Sequence, residues 1–203
     1  MPTYRHGRHE HGQNFLHDRS AIATMTRVVA ATKGPIIEIG PGDGALTVPL
    51  AQLGRPLTAV EIDTRLARRL AERLPSHVDV IAGDFLTYRL SYAPHVIVGN
   101  LPFHQTTAML RRILHAPGWT DAILLVQWEV ARRRAGVGGA TMMTAQWAPW
   151  FEFALHSRVR ARAFTPRPGA DGGILAIHRR EHPLLLSTRS EERRVGEECR
   201  SRW

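Results

Sequence analysis

The sequence predicts an α/β fold built on one mostly parallel sheet, and three observations carry that prediction. Short apolar runs alternate with stretches of helical periodicity from Ile36 to Val126, the pattern of strands joined by crossover helices. A glycine-rich turn, Glu38-Ile39-Gly40-Pro41-Gly42-Asp43-Gly44, follows the first of these runs, as expected where a parallel strand delivers the chain to a ligand crevice. At 203 residues, 43% hydrophobic and 22% charged, the chain is long enough for one good core and too short for two full-sized domains.

Residues 1–12 are polar and rich in histidine and arginine, and they read as a flexible basic arm without the apolar core of a signal peptide. Gly12-Gln13-Asn14-Phe15-Leu16 leads into a helix that Asp18 caps, with Ile22, Met25, Val28 and Val29 on one face. Ile36 to Ile39 reads as a buried strand, Ala45 to Leu53 as a helix and Leu57 to Ile62 as the second strand. A helix over Arg65 to Leu74 follows, then strands Val78 to Ala82 and Val96 to Val98, helix Thr106 to Leu114 and strand Ala122 to Val126. Phe151 to Arg160 and Ile174 to Ile177 form two further strands around a proline-containing loop, Phe164 to Pro168. The folded domain is expected over residues 13–180, with residues 181–203 as a truncated C-terminal segment.

Within that segment Arg189 to Trp203 (RSEERRVGEECRSRW) has no apolar periodicity and resembles the conceptual translation of a sequencing adapter. It is set aside from fold reasoning. Removing its five arginines and four glutamates lowers the formal charge only from +9 to +8. Cys199, the lone cysteine, lies in it, so no disulfide framework and no cysteine zinc site are expected, and a reducing, cytoplasmic setting fits. The eleven histidines show no H-E-x-x-H or other compact ligand spacing, so no metal is expected. No apolar run reaches the ~18 residues of a membrane span.

The glycine loop has the spacing G-x-G-x-G, which favours a methyl-donor nucleoside over the pyrophosphate of a dinucleotide and so demotes an NAD-dependent oxidoreductase. Gly40 and Gly42 let backbone approach the ligand. Glu61, at the end of the second strand, is placed to accept from both ribose hydroxyls or, alternatively, to cap the next helix. Asp84 ends the third strand, where it can accept from an adenine amino group while Phe85 packs beside the ring.

Gly99-Asn100-Leu101-Pro102-Phe103 closes the fourth strand. Asn-x-Pro-aromatic there is the pattern of methyl transfer to a planar exocyclic amino group, whose nitrogen is a poor nucleophile because its lone pair is delocalised. Acceptance of its two N–H bonds by the Asn100 oxygen and by the Leu101 or Pro102 carbonyl favours a pyramidal nitrogen. Pro102 stiffens the turn, and Phe103 stacks on a base that must be unpaired or flipped. Positioning supplies most of the rate of such an in-line displacement.

With Gln13-Asn14-Phe15-Leu16, Glu38 to Gly44, Glu61-Ile62-Asp63, Gly83-Asp84, Asn100 to Phe103 and Phe164-x-Pro166-x-Pro168, the chain from about Gly12 to Arg180 resembles the rRNA adenine N6-methyltransferases. These comprise the Erm macrolide-lincosamide-streptogramin resistance enzymes and the KsgA small-subunit dimethylases. The resemblance implies a Rossmann-like class I fold dependent on S-adenosylmethionine, with the helical C-terminal domain of the family absent or truncated. It implies cofactor contacts at Asn14, Leu16, Gly40, Glu61, Asp84 and Asn100, and target-base contacts at Asn100 to Phe103 and at Phe164, which would cover the adenine face opposite Phe103 or meet the methyl group as a cation–π partner. Phe103 where KsgA enzymes usually carry tyrosine, Met142 to Phe151 and the arginine-for-lysine usage resemble the actinobacterial Erm branch. The implied activity is methylation of an adenine in 23S rRNA, conferring resistance; KsgA-like 16S rRNA dimethylation and a catalytically weak, cofactor-binding rRNA assembly factor are the alternatives. Pro168-Gly169-Ala170-Asp171-Gly172-Gly173 departs from the family's Pro-x-Val-Asp-Ser/Ala.

A formal charge of +9 raises the prospect of a polyanionic partner. Lys33 is the only lysine, and arginines cluster at 68–69, 111–112, 132–134 and 158–162. The expected RNA surface comprises Arg5, Arg8, Arg111, Arg112, Arg132, Arg133 and Arg134, gripping a single-stranded or flipped adenine and its flanks, with the protein acting as a monomer.

Overall fold

The computed structural model describes residues 14–139 and 142–184. A two-residue strand, β1 (Phe15–Leu16), precedes helix α1 (Arg19–Ala30), where the Asp18 carboxylate accepts from the Ala21 amide at 2.8 Å, as an N-cap should. Met25 and Val29 on its inner face are buried. Strands and helices then alternate: β2 (Ile36–Ile39), α2 (Thr47–Ala51), β3 (Leu57–Glu61), α3 (Thr64–Ala71), β4 (Val78–Ala82), β5 (His95–Asn100), α4 (Thr106–His115) and β6 (Trp119–Gln127). Helices α5 (Trp128–Arg134) and α6 (Met142–Trp147) follow, then β7 (Phe151–Val159), a 3₁₀ turn (Ala161–Ala163), β8 (Phe164–Thr165) and β9 (Gly172–Arg179).

Seven strands form one sheet in the order β4-β3-β2-β5-β6-β9-β7. β4 to β6 run parallel, and β9 lies antiparallel between β6 and β7. Neighbouring residues of the central strands face opposite sides: Ile37, Ile39 and Ile97 join one apolar cluster, Ile36, Val96 and Val98 the other. β5 is buried along nearly its whole length, as a parallel strand covered on both faces must be, whereas edge strand β7 shows the broken burial of one wet face. At the base of the sheet the Arg179 guanidinium lies over the stacked rings of Trp119 and Phe151 and donates to the Trp119 and Ala116 carbonyls.

Sequence and structure differ in places. The helix expected from Ala45 to Leu53 is confined to Thr47–Ala51; the one expected to reach Leu74 stops at Ala71. β5 and β6 extend beyond the expected Val96–Val98 and Ala122–Val126, because backbone pairing continues past the most apolar residues. α5 and α6 were not anticipated: the polar run WEVARRR has no apolar stripe to announce a helix. Neither were β1 and β8, which at two residues each carry no period and exist only by pairing with one another. The expected basic arm over residues 1–12 and the adapter-like tail from Arg189 lie outside the described residues.

Candidate active site

The strand order reverses between β2 and β5, and a cleft opens to solvent at their C-terminal ends, where open α/β sheets bind ligands. Its floor starts with β2. Gly40 and Gly42 hold left-handed φ angles of 60° and 58°, which side chains resist. A Cβ on Gly42 would also lie 3.0 Å from the Phe15 ring, so β1 packs directly on this turn.

Glu61 at the end of β3 is fully buried, and both its oxygens accept backbone amides: Oε2 from Gly42 and Oε1 from Asp63, each at 2.9 Å. Of the two roles open to it in the sequence, helix capping falls instead to Asp63, whose carboxylate accepts from the Arg65 and Leu66 amides. Glu61 ties the glycine turn to the neighbouring strand and lines the cleft. Asp84 forms a tight turn, Oδ1 accepting from the Leu86 amide at 2.8 Å. Phe85 contributes to the cleft wall while nearly all of its ring is in the core.

The Asn100 amide nitrogen donates to the Asn14 carbonyl at 2.7 Å. A carbonyl only accepts, so this bond decides which end of the amide is which and leaves Oδ1 as the outward acceptor. Asn14 is held there because β1 pairs with β8, Leu16 opposite Phe164, and the His17 amide donates to the Ala163 carbonyl at 2.9 Å. The Pro102 carbonyl already accepts from the Gln105 amide at 2.9 Å and the Thr106 hydroxyl at 3.2 Å. Gly99 permits the whole arrangement: a Cβ there would come within 2.7 Å of the Ile39 carbonyl oxygen.

All eight cofactor candidates, Asn14, Leu16, Gly40, Gly42, Glu61, Asp84, Phe85 and Asn100, line this one cleft, together with Leu101 and Pro102. Phe103 and Phe164 stand outside its lining and touch each other, ring centroids 5.9 Å apart at 69°. Phe164 is 2% exposed and packs edge-on in direct contact with the Phe103 ring. A Cβ on Gly172 would lie 3.2 Å from Phe164 Cζ and 2.9 Å from Leu125 Cδ1, so both side chains pack close on this glycine.

The sequence motifs gave no role to Glu38, whose carboxyl lies in the cleft wall and is fully buried. Its Oε2 has no hydrogen-bond partner. Burial pushes it up to about 8, opposed by the Thr47 hydroxyl and assisted by the nearby Glu61 charge. Its signal was available as the acid opening the glycine motif. Gln105 and Met109, from the first turn of α4, also line the cleft and had no local signal.

The arginines expected to grip RNA have divided fates. Arg112 is corrected to a structural clamp: its guanidinium donates to the Phe85 carbonyl at 3.1 Å and to the Tyr88 carbonyl, binding α4 to the loop after Asp84. Arg132 pairs with Glu129 at 3.1 Å, and burial pulls the Arg134 guanidinium down from its usual value. Arg111 and Arg133 are exposed; Arg5 and Arg8 lie outside the described residues. Among the described residues no cluster of histidine, cysteine and acid could hold a metal, and no helix is long and apolar enough to cross a membrane.

A profile of the ribosomal RNA adenine dimethylases matches residues 5–191. The chain belongs to that family. It is 61% identical over 186 residues to the rRNA adenine N-6-methyltransferase of Corynebacterium diphtheriae, covering 91% of this chain and 74% of that protein. It is 48% identical over 192 residues to the mycinamicin-resistance protein MyrB of Micromonospora griseorubida, covering 94% of this chain and 60% of MyrB. The crystal structure of the 23S rRNA methyltransferase ErmE superimposes with a TM-score of 0.82 at 37% identity, over 90% of this chain and 76% of that one. The fold of this family member is thus the Rossmann-like one of S-adenosylmethionine-dependent methyltransferases, as expected. It spans under two thirds of the length of several relatives, among them one of Saccharopolyspora erythraea, 48% of which it covers.

Proposed function

We propose that this protein transfers a methyl group from S-adenosylmethionine to the N6 nitrogen of an adenine in 23S rRNA, in the cytoplasm, and so confers macrolide-lincosamide-streptogramin resistance. The observation that carries the reading is Asn100, its amide turned by the Asn14 carbonyl so that Oδ1 is the free acceptor at the mouth of the cleft. The residues fit the donor: the glycine turn leaves room for close approach, Glu61 and Asp84 offer acceptors for hydroxyl and amino groups, and the unpartnered Glu38 oxygen awaits a polar ligand atom.

When bound, S-adenosylmethionine supplies an electrophilic sulfonium methyl. Asn14, Leu16, Gly40, Gly42, Glu61, Asp84 and Phe85 would hold it. The Asn100 oxygen accepts one N6–H bond of the target; the Pro102 carbonyl is engaged by Gln105 and Thr106, which leaves the Leu101 carbonyl for the other. Both acceptances would favour a pyramidal nitrogen with its lone pair available to the methyl group, and water would take the proton that the nitrogen gives up. Phe103 supports the base, which must leave its stack to enter, and Phe164 acts from behind by fixing the Phe103 ring.

The test is methylation of rRNA by the purified protein with labelled S-adenosylmethionine, read by mass spectrometry of the separated subunit RNAs. Label at an adenine N6 in 23S rRNA is expected, with a rise in erythromycin resistance of a sensitive host expressing the chain. Label in 16S rRNA alone would replace this reading with small-subunit dimethylation, and donor binding without transfer would replace it with an assembly role.

A further inference from the structure

We propose that the outer face of α3 is a second RNA contact, holding the phosphate backbone that flanks the target adenine. Arg65, Arg68 and Arg69 on α3 and Arg73 just past its end are all exposed. At 3.6 residues per turn they share a face roughly 140° wide. Arg65, Arg68 and Arg69 have no side-chain hydrogen bond or ion pair among the described residues, in contrast to Arg112, Arg132 and Arg134. The 65/69 spacing sets two like charges one turn apart, which costs an isolated helix stability, and Glu72 is the only acid on that face. A polyanion removes this repulsion.

Position makes that polyanion the substrate RNA. The face begins at the cleft: Ile62, half-exposed, lines it, and Asp63 caps α3 directly beyond. It also ends near the cleft, since the Arg73 guanidinium donates to the Asp43 carbonyl of the glycine turn at 2.7 Å. A single nucleotide in the cleft cannot reach across an eight-residue helix of about 12 Å. A structured RNA carrying that nucleotide can. This rests on the functional reading above for the identity of the RNA, and its contact chemistry is arginine to phosphate, independent of base sequence.

The experiment compares the full chain with R65Q/R68Q/R69Q and with a control, R19Q/R27Q, which removes exposed charge from α1. Arg73 stays because it supports the glycine turn. Affinity for a 23S rRNA fragment with its flanking helices is measured as a function of salt, together with affinity for a short single strand containing the adenine, calorimetric affinity for S-adenosylmethionine, and binding to phosphatidylglycerol vesicles. The triple variant should bind the structured fragment about tenfold more weakly near physiological salt, with a log–log salt slope shallower by about three. Its affinity for the short strand and for S-adenosylmethionine should be unchanged, and the control should behave as wild type. Wild-type affinity and slope in the triple variant, an equal loss in the control, or loss of vesicle binding alone would overturn the proposal. Binding is read without turnover, so failure of the wild type to methylate counts against the functional reading and not against this face.

Discussion

The cleft and the arginine clusters were equally visible as patterns in the sequence, yet the folded chain treats them differently. Eight residues named for the cleft line one cavity. Of the arginines named for RNA, Arg112 clamps a loop, Arg132 is paired and Arg134 is half-buried. The difference lies in reach. Glycine turns and strand ends act through backbone and short side chains, so sequence position nearly determines spatial position. A guanidinium travels on a long flexible stem and settles on whichever carbonyl or carboxylate the tertiary structure brings near.

The sharpest break in that comparison is at the cleft's acceptor. N100A should lower kcat by about 10²–10³-fold, with calorimetric affinity for S-adenosylmethionine far less affected; unchanged kcat would remove Asn100 from the chemistry. Next in size is Glu38. Burial raises its carboxyl from 4.5 to about 8, so its contribution to stability is whole below pH 4.5 and is lost as pH rises through 8. E38Q should flatten the fall in apo-protein Tm between pH 5 and 8, and a parallel profile in the variant would contradict the assignment. G99A, which forces a Cβ onto the Ile39 carbonyl, should destabilise by about 1–3 kcal/mol in denaturant melts. The smallest effect sharpens the arginine side: R112A should raise the KM for S-adenosylmethionine by about tenfold through the loosened Asp84–Tyr88 loop, with the salt slope of RNA binding unchanged. A slope shallower by about one would return Arg112 to the RNA surface.

Parallel order, glycine turn, strand-end acids and the Asn100 motif were all legible because each follows from local periodicity or from a turn only glycine can make. Asp18 as a helix cap was legible for the same reason. Helix α5 was not, because its residues carry no apolar stripe and it is held by burial of Ala131 against β9. Nor were β1 and β8, two-residue strands some 150 positions apart whose strand pairing is with each other.

By itself the sequence determined the α/β class, the place of the cleft and the residue types that line it, since strand period, left-handed glycine and proline stiffness are local properties. Only the tertiary structure decided that Asn14 orients the Asn100 amide, that the Pro102 carbonyl is taken, that Phe164 lies against Phe103, and that Arg65, Arg68 and Arg69 on α3 have no side-chain partner among the described residues. Each of these depends on two segments distant in the chain meeting within hydrogen-bond or van der Waals distance, and no local pattern encodes who meets whom.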